Sequence, residues 1–443
     1  MTIDRRAFIT ASGAALATRA LATPAIAATH GKRLQGRFPN GFLWGAATSG
    51  HQTEGNDTAS DTWLLENVKP SVFVEPSRDA CNSFELWAKD LDLVRDFGLN
   101  TYRFSIEWSR IEPEPGLFSQ AMLDHYRRMI DGCRDRGLTP MVTFNHFTCP
   151  RWFSANDGWL NEKSPALFAR YCEHAARRLA DGIGYATTLN EPNLMRLLKW
   201  MNLPAPLLAT QRAMLIAAAR ATGSVAFSAA NAANVEDLDR QMAHLLAAHA
   251  AGRAAIKSVR PDLPVGLSLA VQDDQAVGSD VERDAKRDYC YGAWLRAVAH
   301  DDFIGVQNYD RTRIGPSGPL PPPAAAPRNG MGQEIYPPSL GDAVRYVHAA
   351  TGLAVIVTEN GLDTADDTQR AAYIPAALEG LKSAMDAGVP VRGYVHWSLL
   401  DNFEWVFGYG PKYGLVAVDR QTFRRTPKPS AAVYGAIARR NAI

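Results

Sequence analysis

Three observations predict an α/β fold: eight short apolar runs, helix-period stretches between them, and polar residues gathered at the runs' C-terminal ends. Together they describe a single (β/α)8 TIM barrel with long active-face loops. The runs occupy residues 42–46, 101–106, 140–144, 185–189, 265–269, 303–307, 354–358 and 391–395. Most are apolar on both faces, as strands of a parallel sheet covered by helices must be.

The intervening helices follow from periodicity. Phe84, Trp87, Leu91 and Val94 recur at i, i+3, i+7 and i+10 with charged residues between them, which gives one apolar stripe. Further helices are predicted over residues 122–133 and 167–179, and the Ala-rich stretch 211–255 reads as helices between strands four and five. Gly98 and Gly137 supply stops just ahead of the second and third strands. An open doubly wound sheet is the alternative, but no G-x-G-x-x-G follows the first strand to support a dinucleotide site. The Pro/Gly-rich stretch 315–330 follows strand six, where a barrel places an active-face loop, and reads as a stiff loop rather than a domain linker.

Composition agrees with one large soluble domain. The 443 residues are 46% hydrophobic and 21% charged, with a net charge of +1, so no basic field is available for a nucleic-acid backbone. Residues 1–27 read as a twin-arginine signal peptide: Arg5-Arg6 precedes Phe8, an Ala-rich run follows, and Ala25-Ile26-Ala27 is a small-x-small cleavage pattern. Export to the periplasm or beyond is therefore expected, with residues 28–443 as the barrel. No segment reads as a membrane span. The five cysteines are widely spaced and odd in number, with no C-x-x-C, and read as core thiols.

The chemistry gathers at the strand ends. Gln52 follows strand one, Arg103 lies in strand two, and Asn145-His146 follow strand three. Asn190-Glu191-Pro192 follow strand four, Glu359-Asn360-Gly361 strand seven and His396-Trp397 strand eight. A barrel brings these ends onto one face, so Glu191 and Glu359 approach each other although far apart in the chain. Two convergent carboxylates with no metal-binding cluster suit cleavage of a glycosidic bond, one protonated to serve the leaving oxygen and one ionised to attack the anomeric carbon. Arg103 is placed to hold one of them ionised. Trp44, Trp397, Trp405 and Tyr309 are candidates to stack on a sugar ring, with core packing as the competing reading for each tryptophan.

The motifs carry a family resemblance. The segment Phe42-Leu43-Trp44-Gly45-Ala46-Ala47-Thr48-Ser49-Gly50-His51-Gln52-Thr53-Glu54-Gly55 resembles the N-terminal signature of glycoside hydrolase family 1, the β-glucosidase family. Thr188-Leu189-Asn190-Glu191-Pro192 is similar to its acid/base motif and Val357-Thr358-Glu359-Asn360-Gly361 to its nucleophile motif. Residues 397–405, with Gly408-Tyr409 beyond, resemble its C-terminal sugar-binding segment. The resemblance implies a retaining double displacement with Glu191 as acid/base and Glu359 as nucleophile, about 5–5.5 Å apart. It implies that Arg103 and Tyr309 flank Glu359, that Asn190 binds the sugar 2-hydroxyl, and that Gln52, His146 and Glu404 bind ring hydroxyls. Trp405 adds a contact over a floor made by Trp397. It implies no cofactor and no metal, with a small-molecule β-glycoside as the substrate.

Departures from the family pattern narrow the substrate. Relatives acting on 6-phosphorylated sugars have Ser where Glu404 stands and Lys where Pro411 stands, so a non-phosphorylated glucose-, galactose- or fucose-type sugar is expected. Gln307 replaces the usual Asn two residues before Tyr309, and Gln333 replaces the Trp that commonly supports the leaving group. The segment 194–201 is unusual and apolar, which points either to an apolar aglycone site or to burial of Met195, Leu198 and Trp200 against the barrel. Two other activities are compatible with the same residues: transglycosylation through the same glycosyl-enzyme, and sugar binding without turnover.

Overall fold

The computed structural model describes residues 36–443; the signal-peptide expectation for residues 1–27 lies outside them. Among the described residues, eight parallel strands close into a barrel in chain order. They are β1 Leu43–Ala47, β2 Thr101–Ser105, β3 Thr139–Asn145, β4 Tyr185–Asn190, β5 Val265–Ala270, β6 Ile304–Gln307, β7 Val355–Asn360 and β8 Val391–Trp397. Each coincides with a predicted run to within two residues at either end. Closure is by β1 against β8, Leu43 opposite Gly393 through Ala47 opposite Trp397.

The expected helices form between the strands: Ser83–Asp96, Gln120–Asp135, Ser164–Leu179, Ala205–Thr222 and Leu238–Val259. Ser119 caps the second of these by accepting from Met122 N, and Pro165 sits in the first turn of the third, where its missing N–H costs nothing. Strand residues alternate between two cores. One set, including Trp44, Phe104, Val142, Leu267, Val306 and Val357, packs outward against the helices. The other, Leu43, Met141, Ile356 and Val395 with Phe303, packs inward together with Trp397 and Tyr413. The barrel interior is thus filled to the level of Trp397, and that side chain becomes the floor of whatever lies above. All five cysteines are buried free thiols.

Two features differ from the sequence reading. Stretch 315–330 begins as sheet rather than loop: Arg311–Gly315 pairs with Gly318–Pro319 and with Asp273–Ala276 in a small three-stranded sheet outside the barrel. These strands are short and polar, pinned by Arg311 to Glu334 and Gln275, and so carry no apolar signal. Trp44 is a core residue, 3% exposed, ringed by Phe38 and Phe42, with Nε1 donating to Asn441 Oδ1 at 2.9 Å. Its place on β1 points it outward to the helices, away from the strand-end face.

Candidate active site

Both glutamates stand where strand pairing breaks register. Pairing of β4 with β5 shifts between Thr187 and Asn190, and pairing of β7 with β6 shifts between Val357 and Glu359, which leaves Glu359 opposite Gln307. Such irregularities re-aim side chains at barrel rims. Glu191 itself has φ +43°, a left-handed conformation that costs a non-glycine residue about 1–3 kcal/mol. Its N–H is fixed to Ser268 O at 2.9 Å. The turn so made launches the short helix Leu194–Trp200 across the barrel mouth. Gly361, next to Asn360, lies so close to the Trp397 carbonyl that a Cβ would sit 1.9 Å from it, which explains glycine there.

The two carboxyl groups share one cavity of about 250 Å³ but differ in their partners. Glu359 is held on both oxygens. Oε1 accepts from Arg103 Nη1 at 2.6 Å and Gln307 Nε2 at 2.8 Å, and Oε2 accepts from Tyr309 OH at 2.7 Å. Burial raises its pKa, and Arg103 and Tyr309 oppose that rise. Among the described residues no such donor reaches Glu191; burial first, then the charge of Glu359, pushes it well above the usual carboxylate range. Of the two, Glu359 is therefore the more readily ionised and Glu191 the more readily protonated.

Arg103, fully buried, joins both strand ends: its Nη2 also donates to Asn190 Oδ1 at 2.6 Å. Gln307 donates to the same oxygen at 2.7 Å. Asn190 Nδ2 in turn donates to His146 Nε2 at 3.2 Å. Burial and then Arg103 hold His146 well below its ordinary pKa, so its ring is neutral. Gln307 thus braces Glu359 and Asn190 at once. The sequence marked it only as a departure from the family pattern; its position two residues before Tyr309, at a strand end, was the available signal.

The remaining predicted residues form the other wall. His146 lies nearly parallel to both Trp397 (centroids 5.8 Å, 17°) and Trp405 (6.1 Å, 12°). Trp405 lies parallel to His51 behind it (5.8 Å, 6°). Burial alone would lower the His51 pKa, but Glu66 and Asp57 beside it raise it to about 10, so an imidazolium backs the indole. Glu404 is raised to about 8, chiefly by burial and then by Glu359, with Trp397 and Gln52 donating to it. Gln52 Nε2 reaches Phe403 O at 2.7 Å and Glu404 Oε2 at 3.4 Å. Of the predicted residues, His146, Asn190, Glu191, Tyr309, Glu359, Trp397, Glu404 and Trp405 line the cavity. Arg103 and Gln52 stand directly behind them, buried and bonded to lining residues.

Most of the remaining lining is apolar. Leu194, Met195 and Leu198 from the short helix, Leu203, Leu207 from Ala205–Thr222, and Val406 and Phe407 enclose the side away from the barrel axis. Trp200, the third residue of the apolar segment singled out in the sequence, turns the other way. It packs half-buried against the outer core with Lys286 Nζ 4.7 Å from its ring. Among the described residues no group of His, Cys, Asp or Glu is arranged to hold a metal ion, and no helix is long and apolar enough to cross a membrane.

The model of glycosyl hydrolase family 1 matches residues 34–312 and 319–443, nearly the whole described chain. The chain belongs to glycosyl hydrolase family 1. As a family 1 member it is a retaining glycoside hydrolase acting on β-glycosides. It is 30% identical to a β-glucosidase of Agrobacterium sp. over 91% of this chain and 96% of the relative. It is 29% identical to a bifunctional β-D-glucosidase/β-D-fucosidase of Bifidobacterium breve over 90% and 97%. Among solved structures, β-glycosidase BGL167 superposes with a TM-score of 0.87 at 47% identity, covering 92% of this chain and 98% of that one. A β-glucosidase of Thermotoga maritima in complex with azafagomine superposes at 0.80 with 26% identity, covering 92% and 99%. The resemblance read from the sequence motifs is borne out across the barrel.

Proposed function

We propose that this family 1 enzyme is a β-glucosidase of non-phosphorylated β-glucosides with an apolar aglycone. The observation that carries it is the asymmetry of the two carboxyl groups in one cavity: among the described residues Glu359 is held by three donors and Glu191 by none. Glu359 attacks the anomeric carbon while Glu191 passes its proton to the glycosidic oxygen, and the aglycone leaves as an alcohol. Glu191, now ionised, takes a proton from water, whose oxygen attacks the same carbon and releases Glu359. Arg103, Gln307 and Tyr309 keep Glu359 ionised until it attacks. Asn190, His146 and Glu404 (backed by Gln52) bind ring hydroxyls over Trp397, with Trp405 at the rim. Glu404 stands where relatives acting on 6-phosphorylated sugars have Ser, and Pro411 where they have Lys, which supports an unmodified ring. A 2-deoxy-2-fluoro glucoside is expected to label Glu359 covalently; a label elsewhere, or none, would refute the assignment.

The aglycone reading rests on Met195, Leu198 and their neighbours lining the cavity. Aryl or alkyl β-glucosides are expected to turn over faster than cellobiose, and the reverse order would retire it. The same apolar chamber favours an alcohol over water at the second step, so added alcohol is expected to yield transfer product. We also propose twin-arginine export; replacing Arg5 and Arg6 by Lys should retain the protein inside the cell.

A further inference from the structure

The apolar end of the cavity has a polar patch. Gln211 and Asn231 line it beside Leu203 and Leu207. Gln211 is 8% exposed and donates from Nε2 to Ala233 O at 2.6 Å, which ties it to the turn that carries Asn231. Its Oε1 has no hydrogen-bond donor among the described residues, and the half-buried Asn231 side chain has no partner there either. Both belong to the aglycone side: Ala229 and Ala232 pack with Leu207, and Ala233 packs with Met195 and Leu198. Both amides line the cavity, so an apolar ligand that covers them leaves their free capacity unmatched, whereas a hydroxyl placed there meets it.

We propose that the aglycone is an apolar alcohol carrying a second hydroxyl remote from the glycosidic oxygen, which donates to Gln211 Oε1 and accepts from Asn231 Nδ2. This rests on the glucosidase reading above and names its leaving group. A second sugar would present hydroxyls all round, against Met195 and Leu198 as well. An aglycone apolar along its body and polar at its far end matches the wall as it stands.

The test compares 4-(2-hydroxyethyl)phenyl and 4-ethylphenyl β-glucosides, whose phenol leaving groups have nearly equal acidity. A wholly apolar wall would favour the ethyl compound. The proposal expects the hydroxyethyl compound to be favoured at least roughly fivefold in kcat/KM, since its hydroxyl gains two hydrogen bonds and one alone is worth about that much. Asn231→Leu should abolish or invert that preference. Because the ratio is taken on one enzyme sample, the folded fraction of a variant cancels. Equal rates, or an ethyl preference in the wild type, would overturn the proposal, as would an unchanged ratio in Asn231→Leu. Cellobiose turning over well ahead of both compounds would overturn the apolar-aglycone reading itself, a separate outcome.

Discussion

At the sugar end of the cavity Glu359 accepts from three side chains, and Asn190 Oδ1 accepts from two of the same three. At the other end, seven apolar side chains meet two amides whose hydrogen-bonding capacity is only partly used inside the protein. The sugar end is cross-linked by directional bonds between strand ends and is therefore preorganised, as stabilisation of a developing charge requires. The apolar end is built from a short helix and loops that offer surface rather than bonds. On the proposed reading, chemistry is fixed at the cross-linked end and the aglycone is chosen at the apolar one.

The largest test of this contrast lies at the rigid end. Glu359→Gln should lower kcat by on the order of 10⁴-fold or more with any aglycone, measured as steady-state turnover. Glu191→Ala should cost on the order of 10²–10⁴-fold with poor leaving groups and far less with a dinitrophenyl glucoside. Equal losses on both substrates would contradict the proton-carrier assignment.

The pH profile sharpens the same division. Burial and Glu359 raise the pKa of Glu191, so the wild type should keep its proton, and its activity, up to the pH where Glu191 ionises. In Glu191→Ala, assayed with the activated substrate, that alkaline limb should vanish while the acid limb set by Glu359 remains. Next in size, Gln307→Leu removes a bond to Glu359 and one to Asn190 and should lower kcat roughly 10- to 100-fold, with Gln307→Asn recovering part of it. The smallest effect is expected at the permissive end. Leu198→Ala should cost about 3- to 10-fold in kcat/KM for apolar aglycones and leave cellobiose nearly unchanged. A comparable loss on both would erase the distinction between the two ends.

Much of this was legible before any coordinates. The eight strands announced themselves because parallel strands buried on both faces leave short, unbroken apolar runs, and Glu191 and Glu359 because they end two of those runs. Trp44 and Trp397 show the limit of that reading: both sit in apolar strands, but the alternation of side chains sends one to the outer core and the other to the cavity floor. Trp200 separates from Met195 and Leu198 for the corresponding helical reason, lying on the opposite face of one short helix. The small sheet around Arg311–Gly315 escaped because polar, ion-paired strands have no hydrophobic period.

Sequence alone determined which residue types stand at the strand ends and in what order the strands follow, since burial and periodicity are written residue by residue. Which glutamate keeps its proton was decided only in three dimensions. That choice depends on Arg103, Gln307 and Tyr309, from β2, β6 and the chain just beyond it, meeting one carboxyl group and not the other. Electrostatic interaction falls off with distance through space, and distance through space is set by barrel closure and local breaks in register rather than by separation along the chain.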